Sequence, residues 1–249
     1  MTNSVVVLED LTDGVVQVSM QDKENKNTFS EGIIAGLTNA FHAISQREDI
    51  SAVVLTGYDS YFSGGGAQEG LRDLYEGKFQ FTDKDLYSLS LNCPVPVVDA
   101  MQGHGIGGGF VMGLFADFVV LSRESIYTTN FMKYGFTLDM GSTMILPQKL
   151  GLGLAREMML NAQNFRGEEL KQRGISFPVL ARSEVLPYAI ARAKELAKKT
   201  RVSLVTLKDV MVGKFRQKLS SHIEKDVEIH ELTFHRPEVK TRIDTVFGR

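Results

Sequence analysis

Two glycine runs constrain this chain more than any other feature. The first is Phe62-Ser63-Gly64-Gly65-Gly66-Ala67, just after the apolar run Ala52–Thr56. The second is Gly103-His104-Gly105-Ile106-Gly107-Gly108-Gly109, just after the apolar run 94–101. Each reads as a strand, a glycine turn and a helix start. Glycine permits positive φ and lets a ligand come close to the peptide N–H groups. The first N–H groups of a helix lack internal partners and suit negative charge. Two such turns, from separate parts of the chain, can offer one N–H each to a single oxygen. That is the geometry that stabilises an oxyanion.

The surrounding pattern predicts an α/β architecture. Segments 5–8 and Val15–Met20 flank Thr12-Asp13-Gly14 and read as a hairpin. Ser30 before Glu31 predicts a helix start, with Ile33, Ile34, Leu37, Phe41 and Ile44 on one face and an end near Gln46. Then come the strand Ala52–Thr56, the first glycine turn, a short helix, a loop near 75–83, a helix over 83–91 and a strand over 95–100. After the second run the pattern predicts a helix over 110–115 and the strand Phe118–Ser122. From Ser142 onward it is helical, most clearly over 186–199, 202–213 and 219–234. The expectation is a core over 1–195 and a C-terminal helical region over 196–249, packed on the core or on a neighbouring subunit. There is no internal repeat.

At 249 residues the chain can bury a sizeable core, and one domain is expected. A net charge of −2 gives no reason to expect nucleic acid or an anionic membrane surface as partner. The single cysteine, Cys93, cannot form an internal disulfide and fits a reducing cytoplasm. Beside Pro94, on an apolar run, it reads as a core residue. The N-terminal segment lacks the basic and apolar regions of a signal peptide, and no run is long enough to span a membrane. A cytoplasmic protein is expected.

The wording around both runs resembles the crotonase (enoyl-CoA hydratase/isomerase) superfamily. The first signature is VVLTGYDSYFSGGGAQEGL and the second is PVPVVDAMQGHGIGGGFVMGLFADFVVLS. The resemblance implies an α/β crotonase-like fold of repeated ββα/βαβ units with a C-terminal helical region, assembled as a homotrimer or a dimer of trimers. It places the oxyanion-hole N–H donors on Gly66 and Gly108, holding the thioester carbonyl of an acyl group on coenzyme A or a carrier protein. The departures are as informative. The two glutamates that handle water in the hydratases fall on Val111 and Phe131, and neither side chain can move a proton.

Within the superfamily, four phrases resemble the decarboxylating crotonases of polyketide β-branching cassettes. They are Gln68-Glu69-Gly70-Leu71, Ala100-Met101-Gln102-Gly103-His104-Gly105, Gly113-Leu114-Phe115-Ala116-Asp117 and Asn130-Phe131-Met132-Lys133-Tyr134-Gly135-Phe136. This likeness implies loss of carbon dioxide from a 3-methylglutaconyl-type thioester on an acyl carrier protein, giving a 3-methylcrotonyl thioester. No metal or other cofactor is expected. The likeness also implies a loop lysine and a late histidine. Lys78 would pair with the departing carboxylate, with Lys84 as the alternative. His230 would hold that carboxylate or protonate the dienolate, a task that suits an ordinary histidine pKa. Val111 and Phe131 would form a desolvating wall. Against these roles stand plainer ones: an exposed loop lysine, and a histidine that is merely buried or on the surface. His104 reads as structural, and His222 and His235 compete with His230.

Lys208, Lys214, Arg216 and Lys218, with Lys23 and Lys26, offer basic clusters for an acidic carrier, or are solvated helix faces. Three other readings remain. Gly103-x-Gly105-x-x-Gly108 with Glu124 matches the dinucleotide fingerprint but leaves the first run unexplained. An isomerase or hydratase of the same superfamily would keep the hole. A non-catalytic acyl-carrier binding protein would keep the pocket without turnover.

Overall fold

The computed structural model describes residues 4–78 and 85–247. The chain opens with the hairpin of β1 (Val6–Asp10) and β2 (Val15–Met20), turned through Asp13 and Gly14 at φ 66° and 71°. Helix α1 (Glu31–Ser45) follows. The Ser30 hydroxyl accepts its Ile33 N–H, and Ile33, Leu37, Ala40, Phe41 and Ile44 form the buried face.

Strands then come in pairs that part company. β3 (Ala52–Thr56), β5 (Val97–Met101) and β7 (Phe118–Ser122) join a large sheet ordered β1-β2-β3-β5-β7-β10, where β10 is Val179–Leu180. β4 (Tyr61–Ser63), β6 (His104–Ile106) and β8 (Ile126–Thr128) join a small sheet ordered β4-β6-β8-β9, where β9 is Phe165–Arg166. Among the described residues, only β1/β2 and β8/β9 pair antiparallel. A helix follows each of the first two pairs: α2 (Gln68–Tyr75) after β4 and α4 (Gly108–Leu114) after β6. A 3-10 turn, Asn130–Tyr134, follows β8. The expected ββα repetition is present. Its second strands are three residues each, and β6 lies inside the second glycine run, where the sequence reads as a turn.

The large sheet is covered on both faces, which is why β3 and β5 read as continuous apolar runs. Ala52, Val54, Val98, Ala100 and Val120 meet Val185, Ala189 and Ala193 of α8 (Arg182–Ala197). Small residues at this four-residue spacing let the helix sit close to the strands. The opposite face, with Val53, Leu55, Val97, Met101, Val119 and Leu121, joins Phe62, Phe110 and Leu114 in the main core.

Two helices differ from expectation. The break expected after 213 is absent, and α9 (Arg201–Phe234) is one helix of 34 residues. Gly213 costs a helix about 1 kcal/mol, but no proline interrupts this segment. A buried stripe of Phe215, Leu219, Asp226, His230 and Phe234 anchors it. The helix expected over 83–91 is, among the described residues, only α3 (Leu89–Asn92). Asp85 instead accepts the Ser88 N–H and hydroxyl in the turn before it. Between β8 and α8 lie α5 (Ser142–Leu150), α6 (Leu152–Asn161) and α7 (Gly167–Gln172), and α10 (Pro237–Val246) closes the chain against α2. Cys93 is buried, as expected. Among the described residues, no helix is long and apolar enough to cross a membrane.

Candidate active site

The pairing of β4 with β6 presses the two glycine runs together. Tyr61 is level with His104 and Ser63 with Gly105. Gly65 has φ +74°, and a Cβ there would stand 2.4 Å from the Ile106 carbonyl oxygen. A Cβ on Gly109 would stand 2.6 Å from the Ser63 carbonyl oxygen. Neither site has room for a side chain, so glycine permits the contact itself. Gly108 then opens α4, and Gly66 lies just before α2. No acceptor among the described residues takes the N–H of either. Both glycines line one cavity of about 380 Å³.

The cavity wall is apolar around this pair, with Phe29, Leu71, Ile106, Phe131, Phe136 and Met140. No carboxylate is among its described lining residues. Its cations are Lys26 and Lys133. Lys26 is exposed and holds its ammonium 5.6 Å from the Tyr61 ring centroid. It is carried there by Asn27, a fully buried side chain that donates to the Met20 and Phe62 carbonyls and accepts the Asp22 N–H. His104 also lines the cavity. Its Nδ1 accepts the Ile126 N–H at 2.9 Å, which leaves the proton of the neutral ring on Nε2. Burial first, then Arg182 and Arg166, lower its pKa. The structural reading of His104 therefore captures one ring nitrogen and misses that the ring forms part of the wall.

The other expected site residues are placed unevenly. Phe131 lines the cavity; Val111 does not. Val111 follows Gly108 by three residues on α4 and is fully buried in the core, so it is a packing residue behind the wall. His230 is 2% exposed and sits one layer back from the cavity. Its ring stacks on Phe234 at 4.5 Å and meets the Phe136 ring edge-on at 5.4 Å. Burial, with a smaller push from His235, lowers its pKa to about 3. It is neutral throughout the physiological range, which corrects the expectation of a histidine titrating near neutrality. Lys78 lies outside the cavity lining, 59% exposed. Its ammonium is 2.6 Å from Asp73 and 3.1 Å from Glu76, and these hydrogen bonds raise its pKa. Lys84 lies outside the described residues.

Two further expectations are corrected. Lys208 is 4% exposed and cannot meet a carrier. Its ammonium contacts Asp117 at 2.7 Å and the Ser90 and Val95 carbonyls, pinning α9 to the core. Arg216 is likewise engaged, with Asp209 and the Leu91 carbonyl. The dinucleotide reading also fails locally. Its glycines straddle the strand β6, and Glu124 accepts the Ser122 hydroxyl and the Arg182 N–H in the turn after β7.

Comparison with known proteins places the chain in a family. The family model for enoyl-CoA hydratase/isomerase matches residues 10–246. The bacillaene synthase decarboxylase PksI of Bacillus subtilis is 56% identical over 248 residues, covering 100% of both chains. A solved structure from a dehydratase/decarboxylase enzyme couple involved in polyketide beta-branching is 55% identical, with a TM-score of 0.98, and covers 99% of this chain and 100% of its own. The decarboxylase domain of CurF from Lyngbya majuscula is 45% identical with a TM-score of 0.95, covering 98% of this chain and 100% of its own. Glycine runs locked back to back, a glycine of each lining one cavity, and the family match over nearly the whole chain lead to one conclusion: this chain belongs to the enoyl-CoA hydratase/isomerase family, the crotonases.

Proposed function

We propose that this protein is a decarboxylase of polyketide β-branching, removing carbon dioxide from a 3-methylglutaconyl-type thioester carried on an acyl carrier protein. The observation that carries this reading is that Gly66 and Gly108, whose N–H groups have no acceptor among the described residues, line one cavity whose described lining contains no carboxylate. Such a site can stabilise an enolate oxygen, and its described lining offers no pair of carboxylates to add or remove water. PksI and the CurF domain named above are decarboxylases, which agrees with it.

The reaction follows from charge and geometry. The bond between the γ-carbon and its carboxylate breaks, and carbon dioxide leaves. The electron pair moves through the double bond to the thioester oxygen, giving a dienolate held by Gly66 and Gly108. Each such donor contributes about 3 kcal/mol to lowering the barrier. Proton addition at the γ-carbon gives the 3-methylcrotonyl thioester. The thioester itself accepts the electrons, so the step needs no separate electron sink. Phe131 and Phe136 keep the reacting carbons dry.

We assign the departing carboxylate to Lys78. To reach it, the ammonium exchanges Asp73 and Glu76 for the substrate, and exposed ion pairs of this kind hold only about 0–1 kcal/mol. His230, being neutral, orients the substrate through the Phe136 wall or donates a hydrogen bond. The carrier arm enters past Lys26. Val202, Leu207, Val210 and Met211 are 60–76% exposed along α9, and such apolar surface supports burial between copies of the chain in a homotrimer. The test is direct. Incubation with 3-methylglutaconyl carrier protein should lower the mass of the acyl group by one carbon dioxide. An acyl group of unchanged mass, or one changed only by water, would refute the assignment.

A further inference from the structure

Behind the cavity wall the fold buries two carboxyl groups. Asp139, in the segment before α5, is 1% exposed, and Asp226, on α9, is 2% exposed. Asp226 Oδ1 accepts the Thr143 hydroxyl at 2.6 Å, at the start of α5. Among the described residues, Asp226 Oδ2 and both Asp139 side-chain oxygens are buried without a hydrogen-bond partner. The two carboxyls lie close enough for the charge of one to act on the other. Among the described residues, the other titratable groups acting on them are Tyr87, from the turn before α3, and His222, one turn earlier on α9. Among the described residues, no lysine or arginine is among the main influences on either carboxyl. When two such buried carboxyls face each other, the first to ionise makes the second hold its proton more tightly. Burial and the Asp226 charge push Asp139 up to about 8, and burial raises Asp226 as well.

The pair sits where it has leverage. Asp226 precedes His230 by one helical turn on the same buried face of α9. His230 packs on Phe136, which lines the cavity. On the other side, Asp139 is followed by Met140, whose sulfur lies 3.0 Å from where a Cβ on Gly108 would stand. The Asp226–Thr143 bond therefore ties the helix bearing His230 to the segment that shapes the wall over the oxyanion hole. A second tie, from the Thr137 N–H to the Thr233 hydroxyl, runs parallel to it.

We propose that Asp226 is a positioning residue for the decarboxylation, and that Asp139 must carry a proton for it to act. Asp226 grips Thr143 and so holds His230 and Met140 in register with Gly66 and Gly108. This rests on the decarboxylase reading above. When Asp139 loses its proton, two like charges face each other and the grip loosens.

The test combines kinetics with amide hydrogen exchange. Asp226→Ala should lower kcat about tenfold or more and leave KM within about threefold, because positioning acts on the transition state. Asp226→Asn keeps the acceptor oxygen and should recover most of that loss. The wild-type rate should fall as pH rises through about 8, and Asp139→Asn should flatten that fall. Amides 141–143 and those around His230 should exchange faster in Asp226→Ala, and in wild type above that pH. If Asp226→Ala does not fold, Thr143→Val removes the other half of the bond and should show the same loss in kcat. Wild-type kcat in both variants, or an alkaline fall unchanged in Asp139→Asn, overturns the proposal. If the wild type does not decarboxylate, the functional reading fails, and unchanged exchange in Asp226→Ala then overturns the grip independently.

Discussion

Acid should destabilise this protein through His230, and the size of the effect can be worked out. The ring is 2% exposed, and burial lowers its pKa to about 3. In the unfolded chain it returns to about 6.5. Between those values the unfolded state binds the proton and the folded state does not. Stability therefore rises with pH across this window and is lost as pH falls from about 6.5 toward 3. At pH 7 the effect on stability is only about 0.2 kcal/mol. At pH 5 the unfolded chain is favoured by about 2 kcal/mol through this one proton. Other groups titrate too, so the comparison is a double difference. Urea unfolding of wild type and His230→Gln is measured at pH 7 and at pH 5. The variant has its own folding cost, but that cost is the same at both pH values and cancels. Wild type should lose about 2 kcal/mol more than the variant on going from pH 7 to 5. The ring proton resonances of His230 should also stay unshifted over that range. Equal acid losses in wild type and variant would refute the claim that burial keeps this ring neutral.

Gly108→Pro removes a donor N–H at a position where a helix tolerates proline, and the side chains nearest the added Cβ, Phe29 and Met140, are flexible at their ends. Turnover should fall about 10²–10³-fold in a folded variant; a near-normal rate would remove the oxyanion assignment. Lys78→Ala should cost about 10²-fold or more if the ammonium orients the carboxylate, whereas a change within about twofold would mark it as a surface residue. Lys208→Met leaves Asp117 without its cation and should cost about 3–5 kcal/mol in urea unfolding. Adding Asp117→Asn should restore part of that stability, and additive losses would mean the ion pair is not the anchor of α9.

The large sheet and the glycine junctions were legible because apolar periodicity and glycine punctuation act locally. Ala52–Thr56 and Phe118–Ser122 appear with the expected bounds, and α1 ends within a residue of expectation. The second strands were not legible. Tyr61–Ser63 and His104–Ile106 are too short for a period to show, and their partners are each other rather than sequence neighbours. The unbroken α9 was hidden because Gly213 reads as a stop, while the side chains that override it, such as Phe215 and His230, act through tertiary burial. At the site, Gly66, Gly108 and Phe131 were reachable from motif position. Lys26 was visible only as a basic residue, because its place depends on the buried Asn27 amide and its bonds to Met20 and Phe62. Val111 was assigned to the wall because position along a motif does not say which way a helix turns its side chain.

The contact of Gly65 with Ile106, and of Gly109 with Ser63, bears on how such an enzyme changes its chemistry over time. The groups we assign to the negative oxygen are peptide N–H groups, placed by backbone packed against backbone. No codon specifies them as a side chain, so they survive nearly any substitution around them except one at the glycines themselves. The surrounding positions, Phe131 and Phe136 among them, are then free to be rewritten. A lineage can discard the residues that manage water while the site for the negative oxygen stays intact. New reactions arise by altering what approaches that site, and the costly part of the catalyst need not be invented twice.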